Sequence, residues 1–216
     1  MTITHLLWDH DGVLVDTEYW YFEATRLALA EWNIILTQDG YMQHMVDGAS
    51  SWRAAEEAGY SEQQIIQQRD YRNSLYQQFL GEKDIEIEGV EDVLAELSRQ
   101  FKMAIVTTSR RVDFELIHQH RHICDHMDFV LTVEDYPRAK PEADPYLAAL
   151  DRFGISRDQA LVIEDSRRGL SAALAAQIPC VMVYNNFTEA QDFSGALTRI
   201  STLAEMPALL DKLNQN

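Results

Sequence analysis

Basic side chains are scarce in this chain: 18 lysines and arginines stand against 35 aspartates and glutamates, a formal charge of −17. That balance repels polyanions, which excludes nucleic acid and anionic membrane surfaces as partners. Cysteine is nearly absent. Cys124 and Cys180 are too few for a disulfide framework, so a reducing, cytoplasmic compartment is expected. No run of about 18 apolar residues occurs, so no membrane-spanning helix is expected. The first residues, Met1-Thr2-Ile3-Thr4-His5, lack a basic region and a cleavage site, so no signal peptide is expected. No internal repeat or low-complexity run stands out. What remains is 216 residues with 46% hydrophobic content, enough to bury a core and to form one domain with a modest insertion.

The most informative stretch present is Leu6-Leu7-Trp8-Asp9-His10-Asp11-Gly12. An apolar run of strand type stops at Asp9. In an open parallel sheet, ligands bind at the carboxyl ends of the strands. Gly12 permits a tight turn there. Two carboxylates one residue apart can divide the labour of a reaction. One can serve as a carboxylate nucleophile, the other as general acid and then general base. Their mutual repulsion makes a divalent cation a natural partner. The competing reading is a plain turn or a calcium loop, since Asp-x-Asp-Gly alone is common.

Three later segments repeat the pattern of a strand ending in polar groups. Met103 to Val106 runs into Thr107-Thr108-Ser109, whose hydroxyls and backbone N–H groups can hold an anionic oxygen or cap a helix. Leu161-Val162-Ile163 runs into Glu164-Asp165-Ser166, where the acids suit a metal and Ser166 or Asp165 suits a helix N-cap. Between them, Lys140 is followed by Pro141, which restricts how the ammonium is presented. A lysine near Asp9 would offset negative charge, although a loop lysine is as often solvated.

Coarse patterning supplies the frame. From Thr17 to Leu80 no convincing strand occurs. Phe22, Leu27, Leu29 and Trp32 recur at helical spacing, and Ser61 with Gln64 reads as a capping box opening a helix through Phe79. Beyond it, helices at 90–97, 112–120, 145–153, 169–176 and 203–213 alternate with strands at 103–107, 128–133, 160–164 and 180–184. That alternation predicts an α/β fold, a doubly wound parallel sheet covered by helices, with a small helical insertion.

The run Asp9-His10-Asp11-Gly12-Val13-Leu14-Val15-Asp16-Thr17 resembles the first motif of the haloacid dehalogenase-like superfamily of hydrolases. Met103–Ser109 resembles the second motif. Lys140-Pro141 with Asp144 and Tyr146 resembles the third, and Leu161–Ser166 with Gly169 the fourth. The resemblance covers Asp9 to Gly169 in family order. It implies a core domain of residues 1–16 and 82–216 and a cap domain of residues 17–81. It further implies Mg²⁺-dependent hydrolysis of a small phosphorylated metabolite, a sugar phosphate or similar, through an aspartyl-phosphate. Catalytic roles then fall to Asp9 as nucleophile, Asp11 as acid and base, and Thr107 and Lys140 as holders of phosphoryl oxygens. Asp9, the backbone carbonyl of Asp11, Asp165 and Glu164 would hold the metal, Glu164 through water. Thr108 and Ser109, and in the cap Glu18, Tyr21, Asp47, Gly48 and Ser51, would contact substrate. Arg110 or Arg111 would add positive charge, or be solvated helix residues. The expected species is a monomer or a dimer in the cytoplasm.

Departures from the family pattern sharpen the expectation. Family dehalogenases lack the second aspartate of the first motif, and Asp11 is present here. Relatives that cleave carbon–phosphorus bonds use a cap lysine, and residues 17–80 contain none. Sugar phosphomutases of this type carry a cap histidine where Tyr21 stands and an arginine after a cap glycine, where Gly48 is followed by Ala49, Ser50 and Ser51. Hydrolysis is therefore favoured over a phosphomutase of the beta-phosphoglucomutase type, and over a non-catalytic binding protein on the same fold. His10 replaces a usual apolar residue, either packing at the cap interface or altering substrate preference. Gln177 replaces a usual glycine at a helix end. The histidines at 118, 120, 122 and 126 lie away from the four motifs and read as surface.

Overall fold

The computed structural model describes residues 2–47 and 49–215, except the side chains of Val46 and Asp47. Strand β1 (His5–Trp8) is followed by four helices, α1 (Glu18–Ala30), α2 (Gln38–Asp47), α3 (Arg53–Glu57) and α4 (Glu62–Glu82). Helix α5 (Val90–Leu97) leads into β2 (Lys102–Val106), α6 (Arg111–His118) and β3 (Phe129–Leu131). Then come α7 (Asp144–Phe153), β4 (Ala160–Glu164), α8 (Arg167–Ala175), β5 (Cys180–Val183), β6 (Thr198–Ile200) and α9 (Met206–Asn214). The chain divides into two compact units, residues 1–16 with 86–216, and residues 17–85.

The first unit is built on a six-stranded sheet ordered β3-β2-β1-β4-β5-β6. All five pairings are parallel, as the alternation predicts. Strand β1 lies between β2 and β4, so the chain moves outward on one side and then returns to build the other. A ligand site is expected at such a reversal, beyond the carboxyl ends of the strands. Central parallel strands are covered on both faces and need continuous apolar runs. Leu6, Leu7, Trp8 and every residue of β4 are accordingly buried. The buried indole N–H of Trp8 donates to Met103 Sδ at 3.4 Å, a soft partner on the neighbouring strand.

Val15 pairs with Glu86 through an isolated antiparallel bridge, at the point where the chain leaves and re-enters this unit. Strand β6 escaped prediction because Thr198-Arg199-Ile200 is three residues long and lies at an edge. The final predicted helix begins with a 3₁₀ turn at Leu203–Glu205 before α9. Gln177 follows α8 at φ 58°, the left-handed position that glycine usually fills at a helix end.

The second unit is helical. Ser61 accepts from Gln64 N and Gln64 reaches back to Ser61 N, completing the predicted capping box of α4. Helix α4 packs on α1 through buried Arg72, whose guanidinium donates to Thr25 Oγ1 at 3.2 Å and lies 4.2 Å from the Tyr21 ring centroid.

Candidate active site

The carboxyl ends of β1, β2 and β4 bring four sequence segments to one place. Asp9 follows β1, and its backbone N–H is held by Ile163 O at 2.9 Å, so the turn into the site is tied to β4. Lys140 is 5% exposed although its ordinary place is the surface. Its ammonium donates to Asp9 Oδ1 at 2.5 Å, Glu164 Oε1 at 2.7 Å and the Val106 carbonyl at 2.9 Å. All three protons are thereby used, which is the condition for burying such a group.

Glu164 closes β4 with no exposure. It accepts from Lys140 and from the Tyr146 hydroxyl at 2.8 Å on one oxygen, and from Asp165 N, Ser166 N and Ser166 Oγ on the other. Its oxygens are committed to protein donors, so its evident work is to hold Lys140. Gly169, one turn into α8, makes room for it. A Cβ there would lie 1.7 Å from Glu164 Oε1. Ser166 caps α8 by accepting from Gly169 N at 3.1 Å.

Asp165 is oriented by Asn185, whose Nδ2 donates to its Oδ2 at 3.0 Å and to the Gly12 carbonyl at 3.2 Å. Gly12 has φ 82°, and a Cβ there would meet Asp165 Oδ2 at 2.2 Å. Only glycine satisfies both conditions.

Asp11 receives Ser109 Oγ at 2.6 Å and Thr107 Oγ1 at 3.2 Å on its Oδ2. Thr107 also accepts from Ser109 N at 3.0 Å, and its carbonyl accepts from the Tyr136 hydroxyl at 2.6 Å. Neither Thr108 nor Ser109 caps α6. Arg110 occupies that position, and its side chain makes no capping bond.

The acids Asp9, Glu164 and Asp165 each offer a ligand oxygen within 4.8 Å of the others. Fully ionised, the three carboxylates would outnumber the one ammonium of Lys140 by two charges, the charge of a single divalent cation. Burial first, and Glu164 second, push the Asp9 carboxyl up to about 7 against the pull of Lys140. Burial works to lower Lys140, yet Asp9 and Glu164 together hold it above its ordinary value. Hard carboxylate oxygens in this number suit Mg²⁺ or Ca²⁺, and a cation would draw Asp9 back toward its ionised form.

The other sequence candidates fall as follows. Thr108 accepts from Arg168 Nη2 at 3.1 Å. Arg110 and Arg111 are engaged by Asp113 and Asp135, each at 2.8 Å or less. Glu18 accepts from Tyr41 at 2.5 Å within the helical unit, where Tyr21 lies against Arg72 and Ser51 is half-buried. Gly48 and the Asp47 side chain lie outside the described residues. Sequence reasoning missed Asn185, Tyr136, Arg168 and His118. Asn185 carried a usable signal, since it stands just beyond the carboxyl end of β5. His118 did not belong with the surface histidines. Its Nε2 lies 2.9 Å from His10 Nε2, inside the first unit.

The sequence of haloacid dehalogenase-like hydrolases as a family matches residues 6–183. A curated relative, (DL)-glycerol-3-phosphatase 2 of Arabidopsis thaliana, is 29% identical over 84% of this chain and 80% of its own length. CbbY from Rhodobacter sphaeroides in complex with phosphate superposes at a TM-score of 0.82, with 22% identity over 97% of this chain and 100% of that one. Beta-phosphoglucomutase from Clostridium difficile superposes at 0.81, with 21% identity over 99% of this chain and 98% of that one. Strand order, the four motif segments and a family match over most of the length agree, and the chain belongs to the haloacid dehalogenase-like hydrolases.

Proposed function

We propose that the protein is a Mg²⁺-dependent phosphatase that hydrolyses a small phosphorylated metabolite through a phosphorylated Asp9. One observation carries the reading: Lys140 is buried between Asp9 and Glu164, in a cluster of acids that could hold a divalent cation. The curated glycerol-3-phosphatase and the phosphate held by CbbY support a small phosphorylated ligand. Residues 1–16 and 82–216 are taken as the catalytic domain and 17–81 as the cap. Glu18, Tyr21, Gly48 and Ser51 keep the substrate contacts that the family resemblance implies.

In this reading an Asp9 oxygen attacks phosphorus as the ester P–O bond breaks. Asp11 gives its proton to the departing alkoxide. A water then attacks the same phosphorus, Asp11 takes the water's proton, and Asp9 is released with inorganic phosphate. Lys140 and Thr107 bind the phosphoryl oxygens, and Ser109 holds Asp11 between the two proton transfers. Asp9, the Asp11 carbonyl and Asp165 would hold Mg²⁺, with Glu164 reaching it through water. When bound, the ion neutralises charge on the carboxylates and the phosphoryl group.

The test is phosphate release from a panel of phosphorylated metabolites. Asp9→Asn should abolish turnover with the fold intact, and EDTA should remove an activity that Mg²⁺ restores. Wild-type turnover by either the variant or a metal-free preparation would sink the reading. A phosphomutase is the second reading, favoured by the likeness to beta-phosphoglucomutase and disfavoured by Tyr21 and Ser51. Phosphorus NMR with hexose 1- and 6-phosphates separates them, since interconversion faster than phosphate release identifies a mutase.

A further inference from the structure

His10 is fully buried between the two first-motif aspartates. Its Nδ1 lies 3.3 Å from Asp11 Oδ2, and its Nε2 lies 2.9 Å from His118 Nε2. Phe114, one turn before His118 on α6, packs on both rings, with centroids 4.9 Å from His10 and 4.4 Å from His118. The far nitrogen of the pair, His118 Nδ1, is buried and has no hydrogen-bond partner among the described residues. Burial first, then His10 and Arg121, hold the His118 imidazole down to about 3, so this ring is neutral at ordinary pH.

Two facing ring nitrogens 2.9 Å apart share one proton; rings that carry one proton each supply it in two arrangements, and a His10 carrying two protons keeps its Nδ1–H toward Asp11 as in the second of these. In one, His10 donates from Nε2. His118 then carries its proton on Nδ1, a buried N–H with no acceptor, and His10 turns a bare Nδ1 lone pair toward the Asp11 carboxylate. In the other, His118 donates from Nε2. Its Nδ1 is then an unused acceptor, which interiors tolerate better than an orphaned donor. His10 carries its proton on Nδ1 and donates it to Asp11. The second arrangement leaves fewer conflicts, and the bond at one ring nitrogen decides which tautomer the other presents.

We propose that His10 and His118 are positioning residues: His118, 2.9 Å away through its Nε2, holds the His10 ring so that the Nδ1–H donates to Asp11 Oδ2. The Ser109 and Thr107 hydroxyls on the same oxygen can rotate away. The His10 N–H cannot, because its ring is clamped by Phe114 and His118. The pair therefore fixes the direction in which Asp11 meets the leaving oxygen and the attacking water. This inference rests on the acid–base role assigned to Asp11.

The test joins spectroscopy to leaving-group chemistry. Long-range ¹H–¹⁵N spectra of histidine-labelled, Mg²⁺-loaded protein, assigned with His10→Asn and His118→Gln, should show His10 protonated on Nδ1. Kinetics then compare glycerol 3-phosphate, whose alkoxide needs a proton to depart, with p-nitrophenyl phosphate, whose phenolate does not. His10→Leu and His118→Phe should lower kcat/KM for the alkyl ester about 10-fold, with a much smaller loss for the aryl ester. His10→Asn places an amide N–H near the lost Nδ1–H and should recover most of that loss. An Nε2–H tautomer at His10 would overturn the proposal, as would equal losses on both esters or an asparagine no better than leucine. The wild-type spectrum decides the matter even if His10→Leu fails to fold. Asp11→Asn separates this inference from the broader reading. If that variant is inactive while His10→Leu keeps full activity on both esters, only the imidazole pair falls. If Asp11→Asn itself turns over normally, the acid–base assignment falls.

Discussion

Lys140→Met removes a buried charge and keeps most of the buried stem, so its consequences are electrostatic. The ammonium holds Asp9, Glu164 and the Val106 carbonyl at 2.5, 2.7 and 2.9 Å. Taking one partner out of a buried ion pair costs about 3–5 kcal/mol. That is a large part of the roughly 5–15 kcal/mol that holds a domain together. The cost depends on pH, and the sign follows from the carboxyls. Asp9 has a raised pKa in the folded state, about 7. The stability it contributes is present below its unfolded pKa of about 3.9 and is lost as pH rises through the folded value. Without Lys140, which pulls the Asp9 carboxyl down, Asp9 keeps its proton to higher pH still. The variant therefore goes on losing stability where the wild type levels off, by up to about 1.4 kcal/mol per pH unit for each proton retained. In urea titrations followed by tryptophan fluorescence with EDTA present, the gap should be wider at pH 8 than at pH 5, by up to about 1.4 kcal/mol for the one pH unit above the folded value. A gap of equal size at both pH values, or none, would refute the argument.

Gly169→Ala should displace Glu164, because the new methyl would lie 1.7 Å from its Oε1. A loss of about 1–3 kcal/mol, typical of overpacking, is expected in the same urea assay, together with a fall in turnover. Asn185→Ala frees Asp165 from its donor at 3.0 Å and should weaken Mg²⁺ about 10–100-fold, read as a shifted Mg²⁺ activation midpoint. An unchanged midpoint would remove Asn185 from the metal's support. Thr107→Val deletes a hydroxyl that is fully buried and lies 3.2 Å from Asp11. It should lower kcat by about 10–100-fold with little change in melting temperature.

The sheet was legible because its central strands must be apolar on both faces. Leu6 to Trp8 and Leu161 to Ile163 could be read as buried strands with acids at their ends. The candidate site was legible at those ends for the same reason, since a buried strand has no packing use for Asp9 or Glu164-Asp165. What the sequence withheld was reach across the fold. Nothing in the spacing announces that Ser109 turns back to Asp11, that Asn185 stands over Asp165, or that His118 meets His10. Those contacts depend on strand order, and periodicity carries none of it. Strand β6 was missed because three residues, Thr198-Arg199-Ile200, are too few to show a period.

The bridge between Val15 and Glu86 bears on how the chain tolerates change. An excursion of 69 residues, from 17 to 85, begins and ends one backbone pairing apart. Loop-closure entropy grows slowly with length, each doubling costing about 0.6 kcal/mol, so the sheet is almost indifferent to how long the detour is. A segment attached this way can be lengthened, trimmed or exchanged for another without shifting the register of β1 against β2 or β4. The helical unit is thus free to vary while the strand ends that carry the carboxylates keep their places.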